Sequence, residues 1–259
     1  MPVNLLQLTD MHLFADPGDT ILGVPPCLTY QEVVDEASTR PWDLALLTGD
    51  LSQDGTPAAY GAVRELSDPL DTSCYWVPGN HDQPSVMDRM LDTSPFRTNR
   101  AFSVGEWRVV MLDTAVADET YGRLSAEELE FLDEALASHP DTPTLVAMHP
   151  PPVPVGSAWL DPINLRQPEA FRTVVESHPQ VQLVLFGHVH QEVEAEWDNT
   201  RLYGCPSTCF QFAPGSEEFR IDEADPGFRH VELMEDGSFD VSIHRVSASP
   251  VANLEAEGY

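Results

Sequence analysis

The stretch Leu44–Asp50, which reads LALLTGD, decides the fold that this sequence predicts. Its first five residues form an almost continuous apolar run, which is typical of a strand covered on both faces of its sheet. A Gly-Asp pair follows the run directly and places a carboxylate at the carboxyl end of the strand. Ligands in α/β proteins gather at this end of the strands. The stretch therefore predicts an α/β fold with a functional edge.

The same arrangement of a strand followed by polar residues recurs along the chain. Five short motifs follow β-type runs: Asp10-Met11-His12, Gly49-Asp50, Gly79-Asn80-His81-Asp82, His149 and Gly187-His188-Val189-His190. Side chains two residues apart on an extended segment point the same way. We therefore expect Asp10 to pair with His12, with Met11 facing the protein interior. The same spacing pairs His188 with His190.

These motifs supply oxygen and imidazole donors for two metal ions. Seven side chains are candidate ligands: Asp10, His12, Asp50, Asn80, His149, His188 and His190. If one carboxylate bridges, each ion receives four protein groups, and Asp50 is the natural bridge. Donors without thiolate favour Mn, Fe or Zn at a catalytic centre. A single Asp-x-His or Gly-Asp is more typical of a turn, but five ordered motifs are not expected from core packing.

One histidine of the motifs is not needed by the metals. His81 is well suited to contact a substrate, and Asp82 beside it can orient its ring. His139 and His178 each follow a predicted helix, and we expect them to be helix-end residues. His230 and His244 lie in predicted strands away from the motifs, where a structural role is expected.

With these motifs, the sequence from Asp10 to His190 resembles the calcineurin-like metallophosphoesterase superfamily. The resemblance implies a four-layer αββα sandwich of two mixed β-sheets flanked by helices. It implies that His81 and Asp82 serve catalysis and that Asn80, His81 and His190 contact the substrate. It also implies a ligand set for each ion: Asp10, His12, Asp50 and His190 for the first, and Asp50, Asn80, His149 and His188 for the second.

Four further parts of the sequence, outside the metal motifs, are similar to the corresponding parts of bacterial class III cyclic AMP phosphodiesterases. They are Trp159-Leu160-Asp161, Pro206–Cys209 with Gln211-Phe212, Pro226–Arg229 and Glu257-Gly258-Tyr259. Relatives commonly carry Asn at the position of Gln167. The resemblance implies hydrolysis of 3′,5′-cyclic AMP to 5′-AMP with two bound metal ions. Fe and Mn are the expected metals, and Zn is the alternative. The expected chemistry is in-line attack by a hydroxide that bridges the metals, with His81 as general acid for the ribose O3′.

Other functions stay open at this point. One is a broader metallophosphoesterase acting on other phosphodiesters or phosphomonoesters, because metal chemistry alone does not choose a substrate. Another is a non-hydrolytic scaffold, although a scaffold has no need of seven converging polar residues. A nuclease is disfavoured because the chain has no basic stripe.

The charge is strongly acidic. Asp and Glu number 43 against 13 basic residues, all of them Arg, and the net charge is −30. Such a surface opposes binding to nucleic acid or to an anionic membrane. The expected partner is a small cyclic nucleotide, and a homodimer is left open because relatives are often dimers. One hypothesis is that the chain comes from a high-salt cytoplasm, and the alternative is an acidic but salt-indifferent enzyme.

The chain length and the positions of the turn-rich segments predict one domain over residues 1–246. Within it we expect an acidic cap loop at 214–226. Residues 247–259 should form a tail that is docked by Tyr259. No apolar run is long enough to span a bilayer, so we expect a soluble cytoplasmic protein with reduced cysteines. The loops Phe14–Pro26 and Pro150–Pro168 should wall the site. Phe14 and Trp159 either stack on a purine or plug these loops.

Alternating runs after His190 predict strands at Glu192–Trp197, Arg201–Gly204, Arg229–Met234 and Phe239–Arg245. We expect them to form a β-meander that closes the second sheet.

Overall fold

The computed structural model describes residues 1–248, 252–256 and 258. The helices are α1 Pro26–Ala37, α2 Pro57–Ser67, α3 Pro84–Met90, α4 Ala126–Ala137 and α5 Pro168–Ser177, with 3₁₀ turns at Asp68–Leu70 and Asp161–Ile163. The strands are β1 Val3–Leu8, β2 Leu44–Thr48, β3 Cys74–Val77, β4 Phe96–Arg97, β5 Ala101–Val104, β6 Trp107–Met111, β7 Gly122–Arg123, β8 Thr144–Ala147, β9 Leu165–Arg166, β10 Val181–Phe186, β11 Val193–Trp197, β12 Thr200–Gly204, β13 Gln211–Phe212, β14 Ile221–Asp222, β15 Gly227–Leu233 and β16 Phe239–Arg245.

Two six-stranded mixed sheets form the centre of the molecule. The first has the order β16-β15-β1-β2-β3-β4, and its strands β1 to β4 run parallel. The second has the order β11-β12-β10-β8-β6-β5, with β12, β10, β8 and β6 parallel. In the first sheet the antiparallel pairings lie at the β15–β16 end, whereas in the second sheet they lie at both edges, with β11 and β5.

Three apolar layers separate the sheets and helices. Leu5, Leu46, Leu145 and Leu185 belong to the cluster between the two sheets. Their neighbours in sequence point the other way, because side chains alternate along a strand. Leu6 thus packs with the helices that cover the first sheet, while Val146 and Val184 do the same in the second. The fold is the expected four-layer αββα sandwich.

The central strands and the helices lie within a few residues of their predicted bounds, but the predicted β-meander is wrong. β11 and β12 extend the second sheet beside β10, whereas β15 and β16 extend the first sheet beside β1. The reason is burial. β15 carries apolar side chains to both of its faces, with Phe228 in the helix-facing cluster and Val231 in the cluster between the sheets. It therefore needs a place inside a sheet that is covered on both sides.

The predicted cap loop at 214–226 contains β14, which pairs with β13. In the predicted tail, the backbone N–H of Asn253 donates to the carbonyl of Leu22 at 2.7 Å, and Ala252 packs beside the same loop. Glu257 and the predicted docking residue Tyr259 lie outside the described residues. In the described part of the chain, no helix combines the length and the apolar composition needed to cross a bilayer.

Candidate metal centre

The five motifs meet at one edge of the sandwich. Each follows the carboxyl end of a central parallel strand: β1, β2 and β3 in the first sheet, and β8 and β10 in the second. Backbone hydrogen bonds join neighbouring motifs. Asp10 N–H donates to Gly49 O at 3.0 Å, and Gly187 N–H donates to His149 O at 2.9 Å. The strands therefore deliver all seven candidate ligands to a single region.

The backbone at these ligands is left-handed, which corrects the extended conformation assumed from the spacing. Five of the seven have φ between 47° and 70°: Asp10, His12, Asp50, His188 and His190. Non-glycine residues rarely adopt this region, and such strain clusters at functional sites. Met11 is fully buried, as predicted. The grouping of Asp10 with His12 therefore arises from left-handed backbone at both residues after β1.

Two glycines of the motifs permit the close approach of the loops. A Cβ at Gly79 would collide with Asp50 Oδ1, and one at Gly187 would collide with Thr9 Oγ1. Both positions therefore require glycine for packing. This is the physical reason why glycine precedes the ligand in these two motifs.

The ligand atoms form two groups of three. Asp10, His12 and His190 make one group, and Asp50, His149 and His188 make the other; within each group the atoms lie within 4.8 Å of one another. Asn80 joins the second group, because its Oδ1 lies 3.2 Å from His149 Nε2. Asp50 also lies within the same limit of His12 and His81, so it stands between the groups.

The hydrogen bonds of three histidines fix which ring nitrogen faces the site. The Nδ1 atoms of His12, His149 and His190 donate to Gln53 Oε1, Thr48 O and Phe210 O at 2.7, 2.8 and 2.8 Å. These oxygens can only accept, so each Nδ1 carries a proton. In the neutral rings the Nε2 lone pairs then point into the site, which is how metal-ligating histidines are oriented.

This arrangement fits bound cations. His12 Nε2 and His190 Nε2 lie 3.2 Å apart in a buried place, where two facing lone pairs repel unless a positive charge lies beside them. Among the residues that the structure describes, none is a hydrogen-bond partner of the buried His188 Nε2. His190 Nε2 is 3.3 Å from Asp10 Oδ1, and His149 Nε2 is 3.2 Å from Asp50 Oδ2. Clustered Asp and His residues at this edge are thus able to hold two metal ions.

Burial and mutual charge set the protonation of the metal-free site. Burial lowers the pKa of His12 and of His188 to about 3, so both rings are neutral near pH 7. Burial also lowers the pKa of His149, but the carboxylate of Asp50 outweighs it and raises the pKa to about 9. Burial raises the pKa of Asp50, yet His149 and His81 outweigh that effect and lower it well below its ordinary value. The metal-free site therefore contains carboxylates and the neutral rings of His12 and His188, which a cation can engage, and a cation beside Asp50 would displace the Nε2 proton of His149.

Asp82 ties two ligand-bearing loops together. Its buried carboxylate accepts hydrogen bonds from the backbone N–H groups of Leu51, Ser52 and Gly79 and from the hydroxyl of Tyr60, at 2.9 to 3.1 Å. Burial, followed by repulsion from Asp50, raises the pKa of Asp82 to about 6.

His81 lies beside the metal ligands. Its backbone N–H donates to Asp50 Oδ1 at 2.8 Å, and its ring meets the ring of His12 edge-on at 5.1 Å.

An apolar cap cluster borders the first group. It consists of Ile21, Val24, Leu160, Cys209, Phe210, Phe212 and Ile221. The ring of Phe212 stacks on His190 at 4.4 Å, and Trp159 packs edge-on against Phe212 while its indole N–H donates to Ser216 Oγ. Both predicted wall loops contribute to this cluster. The contacts of Trp159 favour the plug over the purine-stacking alternative.

The sequence reasoning did not single out the residues that hold the ligands from behind. Gln53 fixes the ring of His12, and Thr9 Oγ1 donates to Asp10 Oδ2 at 2.8 Å. Both are polar residues within three positions of a motif, and this proximity is the sequence signal that marks them.

The family model of the calcineurin-like phosphoesterases matches residues 3–192, which include all five motifs. The chain belongs to this family. Two phosphatases of known structure share its fold. A dimetal phosphatase from Danio rerio superposes with a TM-score of 0.67 at 16% identity, covering 95% of this chain and 100% of that one. A purple acid phosphatase from yellow lupin gives 0.68 at 16% identity, covering 97% of this chain and 52% of that one.

Curated members of the family match almost the whole chain. A 3′,5′-cyclic adenosine monophosphate phosphodiesterase, CpdA, from Pseudomonas aeruginosa is 41% identical, covering 94% of this chain and 90% of the relative. CpdA of Escherichia coli K12 is 38% identical over 99% and 95% of the two chains. A 3′,5′-cyclic-nucleotide phosphodiesterase from Nostoc sp. PCC 7120 is 39% identical over 96% and 94%. The likeness thus extends beyond the metal motifs into the cap.

Proposed function

We propose that this chain is a dimetal phosphodiesterase that hydrolyses 3′,5′-cyclic AMP to 5′-AMP. The observation that carries the proposal is the full-length match to relatives that bear this activity in their names, at 38 to 41% identity. The two groups of Asp and His side chains are what such an activity requires. A broader metallophosphoesterase remains the alternative, because the metal groups alone do not select the ester.

In this proposal each ion is held by four protein groups. The first is held by Asp10, His12, Asp50 and His190, and the second by Asp50, Asn80, His149 and His188. The donor set of imidazole, carboxylate and amide without thiolate supports Fe and Mn, with Zn as an alternative. Bound ions would supply Lewis acidity, which makes water a competent nucleophile near neutral pH and withdraws charge from phosphoryl oxygens.

The substrate approaches from the open side of the site. The six Asp and His ligands are at most 5% exposed, whereas Asn80 and His81 are partly exposed. A phosphate placed there contacts Asn80, His81 and His190. The nucleoside then extends outward from the edge of the sandwich. The acidic surface does not prevent this approach, since surface charges are screened within roughly 8 Å at physiological ionic strength.

His81 is the proposed general acid. Attack of water on phosphorus breaks the P–O3′ bond, and the ribose O3′ leaves as an alkoxide that needs a proton. The ring of His81 gives a proton to O3′, and the proton released by the attacking water replaces it. The Asp50 carboxylate accepts the backbone N–H of His81, so the acid is anchored to the same residue that joins the two groups. Asp82 keeps this loop in place through its hydrogen bonds to Gly79 and Leu51.

The test is turnover of a substrate series by the full chain loaded with Mn²⁺. The series contains cyclic AMP, cyclic GMP, 2′,3′-cyclic AMP and p-nitrophenyl phosphate esters, and the product is identified by chromatography. The highest kcat/KM with cyclic AMP and 5′-AMP as sole product supports the proposal. Faster cleavage of the p-nitrophenyl esters supports the broader enzyme. Protein that takes up no Mn²⁺ refutes both and supports a scaffold.

The proposed partner is therefore a small cyclic nucleotide. A homodimer, which the resemblance to class III enzymes left open, is tested by light scattering of the purified chain. A mass near 28.7 kDa would indicate a monomer.

A further inference from the structure

One conspicuous segment has no role in the proposed ligand set. The chain from Cys205 to Phe212 follows β12 and ends with β13, and it is called the backing segment here. It includes the Pro206–Cys209 run named in the sequence analysis. Ser207 and Gln211 within it are at most 1% exposed. Buried polar side chains are costly unless they are hydrogen-bonded. Their hydrogen bonds therefore indicate what the segment does.

The backing segment grips the backbone at Asp10. Ser207 Oγ donates to Asp10 O at 2.7 Å, and Thr208 N–H donates to Thr9 O at 3.1 Å. Ser207 Oγ also accepts the N–H of Cys209 at 2.8 Å. The single hydroxyl proton of Ser207 is therefore directed at Asp10, whose φ of 53° needs such support.

The same segment holds His190. Phe210 O accepts the Nδ1 proton of His190 at 2.8 Å, and Phe212 N–H donates to His190 O at 3.3 Å. The ring of Phe212 lies nearly parallel to that of His190, with an interplanar angle of 22°. The tautomer, the ring plane and the backbone of His190 are thus all set from this one side.

Gln211 makes the backing segment rigid. Its Nε2 donates to Ser207 O at 2.9 Å, while its Oε1 accepts the N–H of Ser207 at 3.2 Å. The amide therefore pairs with Ser207 as a neighbouring strand would. Arg245 Nη1 also donates to Gln211 Oε1, at 3.1 Å, and the N–H of Gly227 donates to Ser207 O. Strands β15 and β16 thereby brace the segment.

Two ligands of the second group, Asp50 and His149, are held from different elements. His149 Nδ1 donates to Thr48 O at the end of β2, and the N–H of His81 donates to Asp50 Oδ1. On the basis of the proposed dimetal function, we propose that Ser207 and Gln211 are positioning residues for the first ion. They hold Asp10 and His190 in ligating geometry and set the affinity of that ion apart from the second.

The test measures Mn²⁺ bound to the full chain by equilibrium dialysis, without reference to turnover. Ser207→Ala should lower the affinity of one of the two ions roughly 10- to 100-fold, as loss of a residue that orients a ligand typically does. Gln211→Met should do the same, since it removes both bonds to Ser207. Two further backgrounds identify the weakened ion: His149→Ala removes a ligand of the second group only, and His12→Ala removes one of the first.

Ser207→Ala should weaken Mn²⁺ binding on the His149→Ala background and leave it unchanged on the His12→Ala background. Ser67→Ala is the matched control, because Ser67 is also 1% exposed and its hydroxyl is hydrogen-bonded to Tyr30, away from the site. It should lower the melting temperature of the metal-free chain without changing either ion.

The outcomes separate the two hypotheses. A wild-type chain that binds fewer than two Mn²⁺ ions would refute the proposed function itself. Two ions held by Ser207→Ala and by Gln211→Met as tightly as by wild type would refute the positioning role. Equal weakening of both ions in these variants, matched by Ser67→Ala, would also refute it and indicate general destabilisation.

Discussion

The carboxylate of Asp50 lies close to ligands of both groups. Its oxygens lie near His149 Nε2 on one side and accept the N–H of His81 on the other. A bridging carboxylate contributes to both ions at once, whereas His12 or His149 contributes to one. The two classes of ligand are therefore distinguishable by metal stoichiometry.

We expect Asp50→Ala to lose both ions, because it removes the shared carboxylate. Asp50→Asn, which keeps the shape and tolerates the left-handed backbone, should lose them too. The metal content of each variant after dialysis against Mn²⁺ checks this. Asp133→Ala is the control, because Asp133 is exposed on helix α4. Two ions retained in both Asp50 variants, with full activity, would rule out a bridge.

His81 should matter for turnover and not for metal content. His81→Ala is expected to keep both ions and to lose roughly 10²- to 10⁴-fold in kcat, because a general acid contributes about this much. His139→Ala is the matched control, since that histidine follows the C-cap residue of α4, Ser138, and its ring is hydrogen-bonded to the Ser138 hydroxyl. Loss of an ion in His81→Ala would instead make His81 a ligand, which its place near His12 and Asp50 permits.

At the scale of elements, helix α5 begins with a strained residue. Gln167 is exposed, has φ of 56° and makes no side-chain capping bond to the helix. A left-handed conformation costs an ordinary L-residue roughly 1–2 kcal/mol, and Asn adopts it more readily than Gln. The Asn that the resemblance to class III enzymes implies at this position thus has a conformational rationale.

Gln167→Asn should therefore raise the free energy of unfolding by about 0.5–1 kcal/mol, since Asn also caps helices better. Urea denaturation of the metal-free chain measures it. Gln167→Ala is the matched control, because Ala keeps the Cβ that makes the left-handed backbone costly and should bring no gain. A gain with Ala equal to that with Asn would remove the conformational explanation.

Strands β15 and β16 carry a pair of histidines against helix α1. His244 stacks on Phe228 at 4.9 Å and faces Arg40 Nη1 at 3.5 Å, and the ring of His230 meets Trp42 edge-on. Burial, followed by the charge of Arg40, lowers the pKa of both histidines, although Glu36 and Glu232 oppose this. The folded state therefore favours the neutral rings.

A depressed histidine pKa gives a defined pH dependence. The contribution of the two neutral histidines to the free energy of unfolding is complete above the histidine pKa of the unfolded state, near 6.5. It is lost as the pH falls toward the lower pKa of the folded state. We expect the unfolding free energy of the metal-free chain to fall between pH 7 and 5. The fall should be shallower in the double variant His230→Gln with His244→Gln. Identical pH profiles for this variant and wild type would exclude these strands as the cause.

At the scale of the whole molecule, charge is the dominant feature. A net charge of −30 without a single Lys produces strong self-repulsion in the folded state. Screening shortens from roughly 8 Å at physiological ionic strength to roughly 3 Å at 1 M salt. Repulsion between surface carboxylates should therefore weaken in concentrated salt.

We expect the melting temperature and the phosphodiesterase activity to rise from 0.1 to 2 M KCl, as a high-salt protein would require. Potassium acetate serves as a second salt, so that an effect of chloride alone is recognised. Flat or falling profiles in both salts would favour the salt-indifferent alternative.

The amino-acid sequence alone predicted which side chains can contribute to the site and which strands they follow. Runs such as Leu44–Thr48 are apolar on both faces, so their burial at the centre of a sheet follows from composition. A polar motif after such a run must then emerge at the sheet edge. Asp10, Asp50 and His149 were predictable for this reason, because strand and motif are adjacent in the chain.

The assignment of the four strands predicted after His190 to the two sheets, and the way the ligands are held, depend on tertiary contacts. β15 joins β1, far away in sequence, because the first sheet has a free edge that buries Phe228 and Val231. The left-handed backbone at Asp10 accepts a hydrogen bond from Ser207, which no local pattern connects to it. Local propensity acts through neighbours in the chain, whereas these features arise from contacts between residues that only the folded molecule brings together.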